Sequence, residues 1–146
     1  MIIRSAQKED LKSIANLSGE FAKEDCCNGI IADNEQYFED KDVAIAIENN
    51  IIIGYAYGEM ETAKQDKSYV KKGDKVFYLE EMYVIPSKRN MKVGQRLFKF
   101  LENEAMQRDA KVIELHAVSK DYKRLLNFYL EELNMNFLSA LLYKNC

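Results

Sequence analysis

The stretch from Val76 to Arg108 constrains this chain most. Val76-Phe77-Tyr78-Leu79-Glu80-Glu81-Met82-Tyr83-Val84-Ile85 is a mostly apolar, β-prone run that ends at Pro86, which cannot donate to a sheet ladder. Ser87 to Arg96 is then a polar loop, and Val93, Leu97, Leu101 and Ala105 recur every fourth residue, so one helix face continues to about Arg108. The unit is strand, loop, helix. A helix start exposes backbone N–H groups with partial positive charge, so a tight loop feeding one makes a pocket for a diphosphate. Lys88, Arg89, Lys92 and Arg96 add positive charge to the loop, and no acid lies among them.

A chain of 146 residues fits one domain, expected over 1–146. Hydrophobic residues at 47% can build a core, and charged residues at 31% are too many for a membrane-embedded chain. No apolar run approaches the roughly 20 residues of a membrane span, and Met1-Ile2-Ile3-Arg4 turns polar too soon for a signal peptide, so the cytoplasm is the expected location. Cys26, Cys27 and Cys146 lack the paired spacing of a zinc site and read as free thiols; no metal is expected. A Cys/His nucleophile using His116, the only histidine, has no third group to orient it.

Charge is unevenly spread. Residues 1–75 hold 15 acids against 10 bases, and residues 76–146 hold 9 against 11. Glu24, Asp25, Asp33, Glu35, Glu39 and Asp40 make 20–42 the most acidic region, which disfavours nucleic acid and suits a small cationic molecule, although a solvated pair of helices would look the same.

Along the chain, Ile2-Ile3-Arg4 reads as a strand and 8–23 as a helix with Leu11, Ile14, Leu17 and Phe21 on its apolar side. Asp33 and Gln36 suggest a capping box for a short helix ending near Asp40. Two apolar runs, 43–47 and 51–58, flank Asn49-Asn50 as a hairpin buried on both faces. Residues 62–75 read as a mobile polar loop, 112–118 as a strand, 121–133 as a helix and 136–143 as a closing strand or bent pair. Antiparallel hairpins first and helical crossovers later predict a mixed α/β fold, a mostly antiparallel central sheet flanked by helices.

Leu79-Glu80-Glu81-Met82-Tyr83-Val84, the loop Arg89-Asn90-Met91-Lys92-Val93-Gly94, and Asn127-Phe128-Tyr129-Leu130-Glu131-Glu132-Leu133-Asn134-Met135 together resemble the GNAT superfamily of N-acetyltransferases. The resemblance spans nearly the whole chain. It implies a GNAT-like acyl-CoA N-acyltransferase fold with acetyl-CoA as cosubstrate, held at Met82, Tyr83, Val84, Arg89, Asn90, Met91, Lys92, Val93, Gly94 and Gln95. The family's loop, Arg/Gln-x-x-Gly-x-Gly/Ala, is matched by Arg89 and Gly94, while Lys92 stands where the first glycine is usual. Leu125 replaces a customary small residue and Asn134 a customary glycine.

By the same resemblance, acetyl-CoA lies where the strand at Met82-Tyr83-Val84 splays from Leu115-His116-Ala117, and a backbone N–H at Met82 or Val84 polarises the thioester carbonyl. An amine acceptor has to lose a proton, so Glu80 or Glu81 is the expected base, with Glu59 and Glu61 as alternatives through water. Strand alternation puts Glu80 and Glu81 on opposite faces. Tyr129 is the expected acid for the departing thiolate, a transfer uphill by roughly 2 kcal/mol for an ordinary phenol and thiol. The expected acceptor is a small cationic primary amine. A peptide amino terminus or protein lysine is the alternative substrate, and an acyl-CoA sensor without turnover the non-enzymatic one. A homodimer is implied by resemblance alone.

Overall fold

The computed structural model describes residues 1–146. Its sheet has five strands in the order β1 (Ile2–Ser5), β2 (Asp42–Glu48), β3 (Ile51–Thr62), β4 (Lys75–Val84) and β5 (Ala110–Glu114). Neighbours are antiparallel except β4 and β5, which are parallel. Asn49 and Asn50 join β2 to β3 with φ of 50° and 62°, the left-handed pair a two-residue hairpin needs and asparagine tolerates.

Helices cover both faces. On one, α3 (Val93–Gln107) lays Val93, Leu97, Phe98, Leu101 and Ala105 against Ala44, Ala46, Ile53, Ala56, Phe77 and Leu79. On the other, Leu11, Ile14 and Phe21 of α1 (Leu11–Glu24) and Phe38 of α2 (Glu35–Phe38) meet Val43, Ile45, Tyr55, Tyr57 and Tyr83. Double coverage explains why the hairpin strands are apolar on both faces. Leu97 and Ile14 are wholly buried, and each contributes roughly 1.5–3 kcal/mol by leaving water.

One irregularity in β4 decides where the chemistry sits. Tyr57 pairs with Glu81 but Gly58 pairs with Leu79, so Glu80 is an extra residue, a β-bulge. A Cβ on Gly58 would collide with the Tyr78 carbonyl oxygen and the Phe77 ring, so glycine is what lets the bulged strand press in. The bulge overturns the alternation expected of Glu80 and Glu81. Leu79 packs under α3, whereas Glu80 bonds to Tyr37 and Lys41 and Glu81 to Tyr55, which all lie on the α1/α2 side.

Other boundaries also differ from the sequence reading. The short helix is capped by Asn34, which accepts from the Tyr37 N–H, and Asp33 instead takes the Ser18 hydroxyl on its N–H. The 62–75 loop is pinned, not mobile: Ala63 pairs with Gly73 and Asp74, Lys67 bridges to Val70, and Lys67 and Tyr69 donate to Glu114. Strand β5 begins at Ala110 and ends at Glu114, short of the expected Val118. The last helix is α4 (Tyr122–Asn127) followed by a wider π turn, Phe128–Glu132, and Asn134 takes the left-handed conformation that follows it (φ 55°). No strand forms at 136–143, although the outer edge of β5 is unpaired and residues 133–138 lie across a pocket from it; Leu141, Leu142 and Tyr143 stand almost fully exposed.

Candidate active site

The β4–β5 ladder runs from Lys75↔Ala110 to Tyr78↔Glu114 and stops. Beyond it Leu115 to Val118 diverges, and Ser119 bridges to Cys27 while Asn28 N–H donates to the Val118 carbonyl. The splayed edge of β4 therefore has no strand partner on that side from Leu79 onward, in the V-shaped opening anticipated from the resemblance. A cavity of about 70 Å³ sits in the wedge, and Glu81, Met82, Cys27, His116, Leu125 and Tyr129 are among its lining residues. Leu125, in place of a small residue, helps to keep it narrow.

Glu81 is 8% exposed. Its carboxylate accepts a short hydrogen bond from the Tyr55 hydroxyl, and no cation pairs with it. Burial penalises its charged form and lifts its pKa to about 7; the Tyr55 bond opposes the rise, and the charges of Asp33 and Glu80 add to it. Glu81 thus holds or releases a proton near neutrality. Tyr55 and Tyr57 are held firmly in the protonated form by burial, so each keeps a proton to donate.

Tyr129, carried by the π turn, is 9% exposed. Its ring packs on Phe128 at 5.2 Å and Phe98 at 6.5 Å, and its hydroxyl lines the cavity without a hydrogen-bond partner in the chain. Burial, with a contribution from Cys27, pushes the phenol up to about 12. That makes it a weaker acid than the ordinary phenol expected from sequence.

Glu80 is committed elsewhere. It accepts from the Tyr37 hydroxyl at 2.6 Å and the Lys41 ammonium at 2.5 Å, and Lys41 also reaches Glu59 at 3.1 Å. Of the expected carboxylates, only Glu81 is left without a cation in a buried setting. His116 is exposed, its Nδ1 sharing a proton with the Tyr78 hydroxyl at 2.7 Å.

The loop expected to hold phosphate divides into backbone and side-chain parts. Asn90 and Lys92 both adopt positive φ, 62° and 61°. Lys92, at the start of α3, takes the left-handed shape a glycine would adopt freely, at a cost of roughly 1–2 kcal/mol for a residue with a Cβ. No side chain caps this helix, so the first-turn N–H groups of Val93, Gly94 and Gln95 lack a capping acceptor. Gly94 allows α3 to sit close, since a Cβ there would stand 3.2 Å from Met82 Sδ and 3.5 Å from Phe128 Cζ. Val93 is core and Met91 exposed.

Two of the loop's cations are neutralised by acids distant in sequence. Arg89 makes two 2.8 Å bonds to Glu24 and one of 2.9 Å to the Val84 carbonyl, and Lys88 pairs with Glu48. Tyr83, buried and donating to Glu24 at 2.7 Å, offers only backbone to the wedge, as its ring faces α1. Met82 lines the cavity, and Val84 packs on the α3 side.

The sequence reading did not give three residues the places they take here, although it named Tyr55 as a core or pocket-wall aromatic and weighed Cys27 as a nucleophile. Arg124 reaches from α4 to the loop and donates to Asn90 Oδ1 at 2.6 Å. Tyr55 holds Glu81, and Cys27 enters the cavity wall. A period-based reading carried no signal for any of them, since each meets its partner only through contacts between distant segments.

The acetyltransferase (GNAT) family profile matches residues 8–135. No curated protein matches significantly by sequence. Among solved structures, a tetramutant of the Bacillus halodurans BH1408 protein superposes with a TM-score of 0.79 at 19% identity over 100% of both chains. Aminoglycoside N-acetyltransferase AAC(6′)-Iy, in complex with CoA, gives 0.72 at 16% over 99% of this chain and 100% of that one. A predicted acetyltransferase from Clostridium acetobutylicum, with acetyl-CoA, gives 0.74 at 22% over 99% and 95%. With a splayed β4–β5 wedge, an uncapped helix start after it, and a family match across most of its length, the chain belongs to the acetyltransferase (GNAT) family.

Proposed function

We propose that this acetyltransferase moves the acetyl group of acetyl-CoA directly to the primary amine of a small cationic acceptor. The observation that carries the reading is that Glu81 and Tyr129, a carboxyl group shifted to about 7 and an unpartnered phenol, line one small cavity. The family assignment and the CoA-bound aminoglycoside acetyltransferase support the same chemistry.

The residues fit acetyl-CoA. The free N–H groups of Val93, Gly94 and Gln95 suit its diphosphate, and the unpaired edge of β4 at Met82 and Val84 suits its amide-bearing arm. Asn90, Met91 and Lys92 shape the loop, and Lys92 and Arg124 supply charge. Arg89 acts by fixing the loop to Glu24 rather than by meeting phosphate. Bound acetyl-CoA supplies the activated acetyl thioester.

Glu81 takes the acceptor's proton. Moving a proton from an ammonium of pKa about 10.4 to a carboxylate near 7 costs roughly 4–5 kcal/mol, against roughly 8 for an ordinary glutamate. Asp33 and Glu80 hold the region negative, which favours a cationic acceptor. Tyr129 then gives its phenolic proton to the leaving sulfur. From a phenol near 12 this transfer is uphill by roughly 5 kcal/mol relative to a thiol in water, and desolvation beside the buried Tyr129 ring raises the basicity of the leaving sulfur in parallel.

Mixing the protein with acetyl-CoA and a panel of polyamines, aminoglycosides and peptides, and following released thiol, tests the reading. Turnover with small amines supports it, and turnover with peptides alone replaces the acceptor by an amino terminus or lysine. Tight calorimetric binding of acetyl-CoA with no turnover on any amine replaces the enzyme by a sensor, the reading the strained Lys92 favours. The reading takes 1–146 as one working domain, without a metal, in the reducing cytoplasm where its free thiols persist. It also includes a homodimer, supported by Leu141 at 97% exposure beside Leu142 and Tyr143, and checked by light scattering.

A further inference from the structure

We propose that Cys26 and Cys27 form a preorganised dithiol site for a trivalent organoarsenical, a soft electrophile that bonds two sulfurs at once. Their Sγ atoms are 4.0 Å apart, and both thiols are free and half-buried. Trivalent arsenic is pyramidal, with a lone pair and S–As–S angles not far above a right angle, so two sulfurs at bonds of roughly 2.3 Å stand about 3.4 Å apart, and the 4.0 Å gap closes by rotation of the two cysteine side chains. Direct oxidation of neighbouring cysteines makes a small strained ring; a bridging atom enlarges that ring by one member and relieves it.

The backbone on both sides of the pair is fixed before any ligand arrives. Asp25 ends α1 in the left-handed conformation (φ 49°) and turns the chain. Lys120 N–H donates to the Cys26 carbonyl and Asn28 N–H to the Val118 carbonyl, each at 2.9 Å, and Cys27 bridges to Ser119. Little ordering entropy is left to lose. Glu24 accepts from Cys26 Sγ at 3.9 Å but is held by Arg89 and Tyr83, and no group of three ligating side chains forms here to complete a metal ion's shell, whereas an organoarsenical brings its third bond with it.

The condensation balances without an oxidant. The arsenic–oxygen bonds of an arsine oxide are replaced by two arsenic–sulfur bonds, both thiol protons leave with the oxygen as water, and arsenic stays trivalent. Neutral thiols are the reactants. Burial, and then the charge of Cys26, pushes Cys27 up to about 11, which keeps its thiol protonated and dull toward one-thiol alkylation. Cys27 also lines the Glu81–Tyr129 cavity, so the arsenic substituent would sit in its wall.

Intact-mass spectrometry of the full chain with one equivalent of phenylarsine oxide tests the site. The expected result is one adduct per chain with loss of water, which survives excess glutathione and is stripped by dimercaptopropanol. Two bonds should make release roughly 10²-fold slower than from one. Cys26→Ser and Cys27→Ser, checked for folding by thermal melting, should each lose the glutathione-resistant adduct, and Cys146→Ser should keep it. An adduct that glutathione removes, one that either pair variant retains, or one that depends on Cys146 would overturn the proposal.

Discussion

The Glu81 cavity and the proposed phosphate loop face opposite problems, the first gathered from segments between Phe21 and Tyr129 and the second held in one stretch of chain. The cavity works through side chains whose ionisation has been moved by burial, Glu81 to about 7 and Tyr129 to about 12. The loop works through main chain: free N–H groups at the start of α3, positive φ at Asn90 and Lys92, and side-chain cations of which Lys88 and Arg89 are already paired. Each pays in its own currency. The cavity carries desolvated charge and the loop carries backbone strain, so mutations in the two should separate proton transfer from cofactor affinity.

The strongest test of that separation is Glu81→Gln, which removes the base while still accepting from Tyr55. It should lower kcat/KM for the amine by roughly 10²–10⁴-fold and leave the calorimetric Kd for acetyl-CoA within a few-fold. A parallel collapse of acetyl-CoA affinity would merge the two regions. Tyr129→Phe keeps the ring packed on Phe128 and deletes only the proton; kcat should fall by roughly 10²-fold with binding unchanged.

pH sharpens the contrast in two ways. The wild-type kcat/KM should rise with pH through an apparent pKa near 7, a limb absent from the residual activity of Glu81→Gln. Stability should move the other way. Because the folded-state pKa of Glu81 lies above its unfolded value, its proton favours the fold fully below about pH 4.5, and that contribution is lost as pH rises through 7. A shift of this size is worth on the order of 3 kcal/mol, so Glu81→Gln should gain stability over wild type in urea melts at pH 8 and little at pH 4.5. The smallest effect is expected at the loop. Lys92→Gly relieves the left-handed strain but loosens the unfolded chain, for a net gain of about 0.5–1 kcal/mol in urea denaturation and an acetyl-CoA Kd no weaker than before.

Elements with a strong local period were legible. The stripe Leu11, Ile14, Phe21, the four-residue repeat of α3 and the Asn49-Asn50 turn each depend on neighbours a few residues away, and each formed where expected. The closing strand failed for the opposite reason. Residues 136–143 have strand-like composition, but a strand exists only when paired, and composition does not decide whether the segment docks on the free edge of β5. The site was legible as a set of residues and not as an arrangement. Tyr129 and Glu81 were named as candidates and line one cavity; that Glu80 would be held by Lys41 and Tyr37, and Arg89 by Glu24, depends on partners about forty or more residues away.

By itself the sequence determined most of the segments that curl or extend, that a cationic loop joins the strand ending before Pro86 to a helix, and which family the chain resembles, since propensity, periodicity and loop chemistry are local. Tertiary structure alone decided which glutamate is buried without a cation, how far its pKa and that of Tyr129 move, and that Cys27 stands in their wall. Those properties follow from desolvation and from contacts between distant segments, and the bulge opposite Gly58 that turns both glutamates to one side comes into being only when β3 and β4 pair.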